Sequence, residues 1–191
     1  MFLKRILAAV AIAALPLTAG AAPYVLDKSH AHVTFSVSHL GFSSVHGQFR
    51  KFDAEIEFDP GNVEATRVNF TIDAASVDTF WEARDKHVRS KDFLDVKNHP
   101  QITFASTGVV PTGAETAEIT GDLTIRGKTL PVTFDAKLNK LGPSPFNPNQ
   151  TIAGFTVTGE IDRTKWGVSY AAPAVSAIIP IRIELEMSPA N

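Results

Sequence analysis

The sequence predicts an all-β fold: eight antiparallel strands joined mostly by short turns, with one short helical insertion. Two observations carry this reading. Eight stretches alternate apolar and polar residues with a period of two, the pattern of a half-buried strand. Only one stretch, Thr79 to Pro100, reads as helix instead. Eight such strands remove their exposed edges by closing into an up-and-down barrel, with a two-sheet sandwich as the alternative closure.

Taken in order, the chain opens with Lys4 and Arg5, an apolar run from Ile6 to Leu17, and Ala19-Gly20-Ala21, a small-x-small cleavage site. Residues 1–21 therefore read as a secretory signal peptide, since the apolar run is shorter than the ~20 residues that span a bilayer core. Residues 22–191 form one domain. In the first strand Val33, Phe35 and Val37 alternate with Thr34, Ser36 and Ser38. Ala54, Ile56 and Phe58 alternate with acids in a second strand expected to reach back unbroken to Val45, and Pro60-Gly61-Asn62 turns the chain. Val68, Phe70 and Ile72 form the third.

In the helical stretch, Thr79 and Glu82 have capping-box spacing, and Glu82 with Lys86 and Asp85 with Arg89 are spaced to pair. Phe80, Ala83, His87 and Val88 make an apolar stripe that must pack on the sheet, because so short a helix is unstable alone. Ser90 begins a second short turn carrying Phe93 and Leu94, and Asn98-His99-Pro100 ends the stretch. Ile102 and Phe104 begin the fourth strand; Ile119, Leu123 and Ile125 mark the fifth. Arg126-Gly127-Lys128 predicts a tight hairpin into Leu130, Val132, Phe134, Ala136 and Leu138. The Pro- and Asn-rich segment Leu141 to Gln150 is expected to be the longest break, and mobile. Ala153, Phe155, Val157 and Ile161 form the seventh strand, and Ile179 through Met187 the eighth.

Composition excludes several functions. No cysteine is present, which removes thiol catalysis, redox C-x-x-C chemistry and thiolate metal sites. The formal charge of −2, which becomes −4 once Lys4 and Arg5 are removed, gives no footprint for nucleic acid. There is no G-x-S-x-G, G-x-G-x-x-G or P-loop. A transmembrane barrel is excluded because the polar parity carries Asp53, Glu55, Glu57, Arg182, Glu184 and Glu186, which must face water rather than lipid. His30 and His32 share a strand face and form a candidate zinc pair, lacking a third ligand unless Asp27 or His46 supplies it. No metal site and no catalytic residue is assigned.

Three blocks carry a family resemblance. Ala83 to Ser90 (ARDKHVRS) with Asp92-Phe93-Leu94, His39-Leu40-Gly41-Phe42 with Val45 to Phe49, and Gly121 to Gly127 with Pro131-Val132 stand in one order and span most of the chain beyond the leader. The set resembles the YceI-like family of bacterial periplasmic polyisoprenoid-binding proteins. That resemblance implies a lipocalin-like barrel holding a long isoprenoid tail, quinone-like or a polyprenyl precursor, as ligand rather than cofactor. A periplasmic location and a role in transport, storage or stress response are expected with it, and transient membrane contact and a homodimer are further expectations. The residues around Val63 to Thr71 offer an edge for such a dimer.

An eight-stranded barrel has an interior just wide enough for its own side chains or for one slim ligand. Phe dominates the aromatics, 13 against two Trp and two Tyr. Phe35, Phe58, Phe70, Phe104, Phe134 and Phe155 fall on the inward parity of six strands, where a ring with no polar atom lines a dry tunnel without penalty. The same rings interlocked would make an ordinary core, and the resemblance favours the ligand. Val37, Phe42, Phe49, Leu123, Trp166 and Ile181 complete the expected apolar lining, with His39, Arg84 and His87 as head-group contacts. An enzyme acting on that head group is the alternative.

Overall fold

The computed structural model describes residues 20–190, so the expected leader lies outside it up to residue 19. The strands are β1 (Ala22–His39), β2 (Ser43–Phe49), β3 (Phe52–Phe58), β4 (Arg67–Asp73), β5 (Val77–Asp78), β6 (Gln101–Pro111), β7 (Thr116–Ile125), β8 (Lys128–Pro143), β9 (Thr151–Asp162) and β10 (Ile178–Pro189). Among the described residues one α-helix, α1 (Glu82–Val88), sits between β5 and β6.

Hydrogen bonding runs antiparallel through β1, β3, β4, β6, β7, β8, β9 and β10, and β10 bonds back to β1. The ring therefore closes with eight positions and is a barrel, not a sandwich. Asp53, Glu55 and Glu57 face outward and exposed while Ile56 and Phe58 are buried, as strand alternation requires.

The expected single strand from Val45 to Phe58 is two strands. β2 pairs with β1 from Val33 to His39, whereas β3 pairs with its start, Ala22 to Tyr24. Between them Arg50 and Lys51 leave the ladder. Their amides bond instead to the Ser76 carbonyl at 3.1 Å and the Ser76 hydroxyl at 3.0 Å, which fastens the 74–76 turn to the barrel wall. β5 then adds two residues beside β2.

The helix is shorter than its sequence suggested, and its start is built differently. Thr79 does not cap it. Asp85 is buried and accepts hydrogen bonds from the Thr79 amide (2.7 Å) and hydroxyl (2.6 Å), so the acid one turn in fixes the approach to the helix. Phe80 sits at φ +66°, which throws it and Trp81 into solvent instead of onto the apolar stripe. Ala83 is exposed as well. Arg89 does not pair with Asp85; it donates to the carbonyls of Ala75 and Val77, both at 2.8 Å. Beyond Val88 the chain continues in turns that carry Phe93 and Leu94 inward.

The Arg126-Gly127 hairpin has positive φ at both residues (+50° and +71°), the two-residue turn whose twist matches its strands. The segment Leu141 to Gln150 is not the longest break. β8 takes up its first three residues, and the Ser144 amide bonds Gln150 O at 2.8 Å across what remains. Residues 163–177, between β9 and β10, are the longer link. The Val63–Thr71 edge does not exist either, because β4 is bonded by β3 on one side and β6 on the other. Among the described residues no helix is long and apolar enough to cross a membrane.

Candidate functional site: an apolar tunnel

Inward-facing side chains from all eight ring positions line one cavity of about 690 Å³, within the range of small-molecule sites. Each ring strand contributes one expected residue: Phe35, Phe58, Phe70, Phe104, Leu123, Phe134, Phe155 and Ile181 in ring order by sequence. Val37 and Phe49 line it too. The rings touch in pairs, Phe58 with Phe155 at 5.4 Å and Phe104 with Phe134 at 5.8 Å between centroids, yet they do not fill the lumen.

Glycines explain why space remains. A Cβ on Gly47, Gly121 or Gly159 would collide with the ring of Phe35, Phe104 or Phe134 respectively. Each ring therefore packs over glycine backbone on a neighbouring strand, in space that a side chain there would take. Gly159→Val is expected to push Phe134 into the cavity, cost about 1–3 kcal/mol through overpacking, and lower the capacity for an apolar probe; fluorescence titration with such a probe measures it.

The cavity reaches both ends of the barrel, from His39, Leu40 and the α1 region to the Pro111–Thr116 turn. The polar groups at the α1 end are mostly committed to the protein itself. Arg84 donates from Nε to the Thr79 hydroxyl (2.8 Å) and from Nη2 to the Thr79 carbonyl (2.6 Å), with its guanidinium 5.6 Å from the Trp81 ring. His87 Nε2 lies 3.2 Å from Asp92 Oδ2, and its ring meets Phe93 and Tyr170 edge-on, each at 5.0 Å. His39 lines the same end and is exposed.

Asp78 anchors the approach to this region. It accepts from the Phe80 amide (2.9 Å), Gln48 Nε2 (3.1 Å) and Arg50 Nε (2.7 Å), and these bonds, the Phe80 amide foremost, hold its carboxyl down to about 2. A carboxylate whose pKa is depressed by folding stabilises above its unfolded value, here 3.8, and that contribution fades as pH falls toward about 2. Denaturation of the wild type and Asp78→Asn is thus expected to differ at pH 5 and to converge as pH approaches 2.

Two expected lining residues are elsewhere. Phe42 is 89% exposed in the β1–β2 turn, past the end of the strand. Trp166 is buried in a 3-10 turn after β9, where its indole donates to Leu123 O at 3.1 Å and plugs the wall rather than facing the lumen.

Sequence reasoning missed Arg163. It lines the cavity, is 7% exposed, and donates to the carbonyls of Val168 (2.5 Å), Val175 (2.7 Å), Ser176 (2.9 Å) and Tyr170 (3.1 Å). Its guanidinium stands 5.8 Å from the Phe93 ring, and burial pushes its pKa below the usual arginine value. One side chain thus organises the β9–β10 link across the mouth. The only signal was its place directly after a strand, where a cation reads as solvated.

For metal, the structure brings together Asp27, His30 and Glu186, a cluster that does not include His32. Their ligand atoms lie within 4.8 Å of one another on the outer wall, where β1 bulges from its register with β10. His30 Nδ1 is 2.8 Å from Asp27 Oδ2, which with the Ser29 hydroxyl and amide holds the Asp27 carboxyl down to about 2; the same contact raises the His30 pKa.

The fold and cavity define a class: a closed antiparallel barrel built around an apolar interior space. The YceI-like domain model matches residues 24–187, and the chain belongs to that family. A UPF0312 protein of Pseudomonas savastanoi pv. phaseolicola is 42% identical over 176 residues, covering 90% of this chain and 91% of that one. The crystal structure of the Campylobacter jejuni YCEI protein is 30% identical, with TM-score 0.74, covering 81% of this chain and 90% of that one. A polyisoprenoid binding domain from Saccharophagus degradans shares the fold at 12% identity, with TM-score 0.64, covering 88% of this chain and 99% of that domain.

Proposed function

We propose that the protein is a periplasmic carrier that holds one long-chain isoprenoid lipid, quinone-like or a polyprenyl precursor, in the barrel tunnel for transport, storage or stress response. The observation that carries this reading is the cavity of about 690 Å³ with apolar side chains from every ring strand. Burying about twenty methylene-sized groups there at ~0.8 kcal/mol each contributes ~16 kcal/mol before ordering costs, so the tail alone supplies affinity and the head group needs few contacts. The Saccharophagus degradans barrel described as polyisoprenoid binding supports the ligand class. The leader-like first 21 residues support export.

Binding is favoured over chemistry on the head group. A general acid or base must reach the substrate with a free polar atom; Arg84 is spent on Thr79 and His87 Nε2 on Asp92, which leaves His87 Nδ1 and the exposed His39 for that task. Solvent extraction of the purified protein followed by mass spectrometry tests the reading. About one isoprenoid per chain is expected. An extract with no apolar molecule, from protein that also fails to take up an added polyprenyl quinone, overturns it.

A further inference from the structure

We propose that the barrel rim at the α1 end is a docking face for an anionic phospholipid bilayer, through which the tunnel exchanges its ligand. The inference rests on the lipid-carrier reading and adds where, and on what surface, exchange occurs. Ten large apolar residues among the described ones are exposed, and six of them surround this one end: Leu40, Phe42, Phe80, Trp81, Tyr170 and Ile178. They come from segments remote in sequence that meet there. The Leu40 amide bonds Ala174 O at 2.8 Å, the Ser176 amide bonds Ser38 O at 3.0 Å, and Tyr170 packs on His87 of α1. Leu40 and Tyr170 also line the cavity, so the apolar rim is continuous with the tunnel.

Charge selects the partner. The segments forming this end, residues 78–99, 126–128 and 162–178, carry nine Lys and Arg against six Asp and Glu. The remainder of the chain from residue 22 carries seven against fourteen. An acidic protein thus presents one positive end, which an anionic surface attracts while repelling the rest, and so orients it mouth first. Phe, Trp and Tyr around that mouth are the side chains that settle at a bilayer interface, with apolar bodies and, for Trp and Tyr, a polar edge. A protein partner or a second copy would gain from the apolar ring but has no equal claim on the charge asymmetry.

Cosedimentation of the purified protein with phosphatidylglycerol-containing vesicles and with neutral phosphatidylcholine vesicles tests this. Trp81 gives a second readout, since it is 62% exposed while Trp166, the only other Trp, is 4% exposed. Expected are binding to the anionic vesicles, weakening at high salt, and a blue shift of emission that Trp81→Phe removes. Phe42→Ser with Trp81→Ser should weaken binding by about tenfold or more per residue, and the exposure of both positions leaves folding intact. Absence of binding to anionic vesicles overturns the proposal, as does binding that the double variant does not change. Self-association through the rim without vesicle binding also overturns it. The two readings fail separately. Protein that carries an isoprenoid but ignores vesicles sinks only the docking face, and protein that binds vesicles with an empty tunnel sinks the carrier.

Discussion

The double variant Ala136→Phe/Val157→Phe is expected to lose its ligand while remaining folded. The two positions face each other in the β8–β9 register, and both line the cavity. New rings there start from the cavity wall and extend toward the lumen, and Phe brings no polar atom that needs a partner. Each ring takes the place of about five methylene-sized groups of a bound tail, about 4 kcal/mol or roughly a thousandfold in affinity. Extracted lipid should fall from about one per chain to below detection. Burying the added rings should hold or raise the melting temperature. A variant that still yields a full complement of isoprenoid would show that the tail lies outside the lumen.

Arg163→Met is expected to be the most destabilising conservative change at the mouth. Methionine keeps most of the apolar stem, so the loss is chiefly polar: Val168, Tyr170, Val175 and Ser176 each lose a charged donor to their carbonyls. Removing a buried group that satisfies several carbonyls costs about 3–5 kcal/mol, which for a chain of this size lowers the melting temperature by roughly 10 °C. Arg163→Lys should recover only part of it, because an ammonium cannot span the same fork of acceptors. Thermal denaturation followed by circular dichroism measures both. An unchanged melting temperature for Arg163→Met would mean that those carbonyls are satisfied without it.

The ring of eight strands was legible because one face of every strand is apolar and the other wet; Ile56 and Phe58 against Glu55 and Glu57 is the plain case. That same parity placed Phe35, Phe70 and Phe134 on the cavity wall. It gives no information where the chain leaves the ladder. Phe42, three residues beyond His39 in a turn, and Trp166, in a 3-10 turn, were expected on the lining without any parity to place them there. The β2–β3 break was hidden because what separates the strands is the Ser76 hydroxyl and carbonyl, a contact 25 residues away. At the helix, the Thr79 and Glu82 spacing was a valid cap signal that a nearby stronger acceptor, the Asp85 carboxylate, overrode. Whether the Phe rings would fill the lumen or border it was undecidable from parity alone. The answer lay in Gly47, Gly121 and Gly159, which seat the rings against backbone and look in sequence like weak points of their strands.

The pairing of β1 with β10 has a further consequence. Tyr24 lies opposite Pro189 and Phe35 opposite Ile181, so the seam that shuts the cylinder joins nearly the two most distant stretches of the chain. Such contacts form late, because the longest loop must be gathered before they return any energy. Until the final dozen residues arrive, β9 and β1 stand as raw borders able to recruit foreign strands. A nascent or clipped polypeptide ending before Ile178 is therefore a sticky open sheet, and β10 is the clasp that closes its wall.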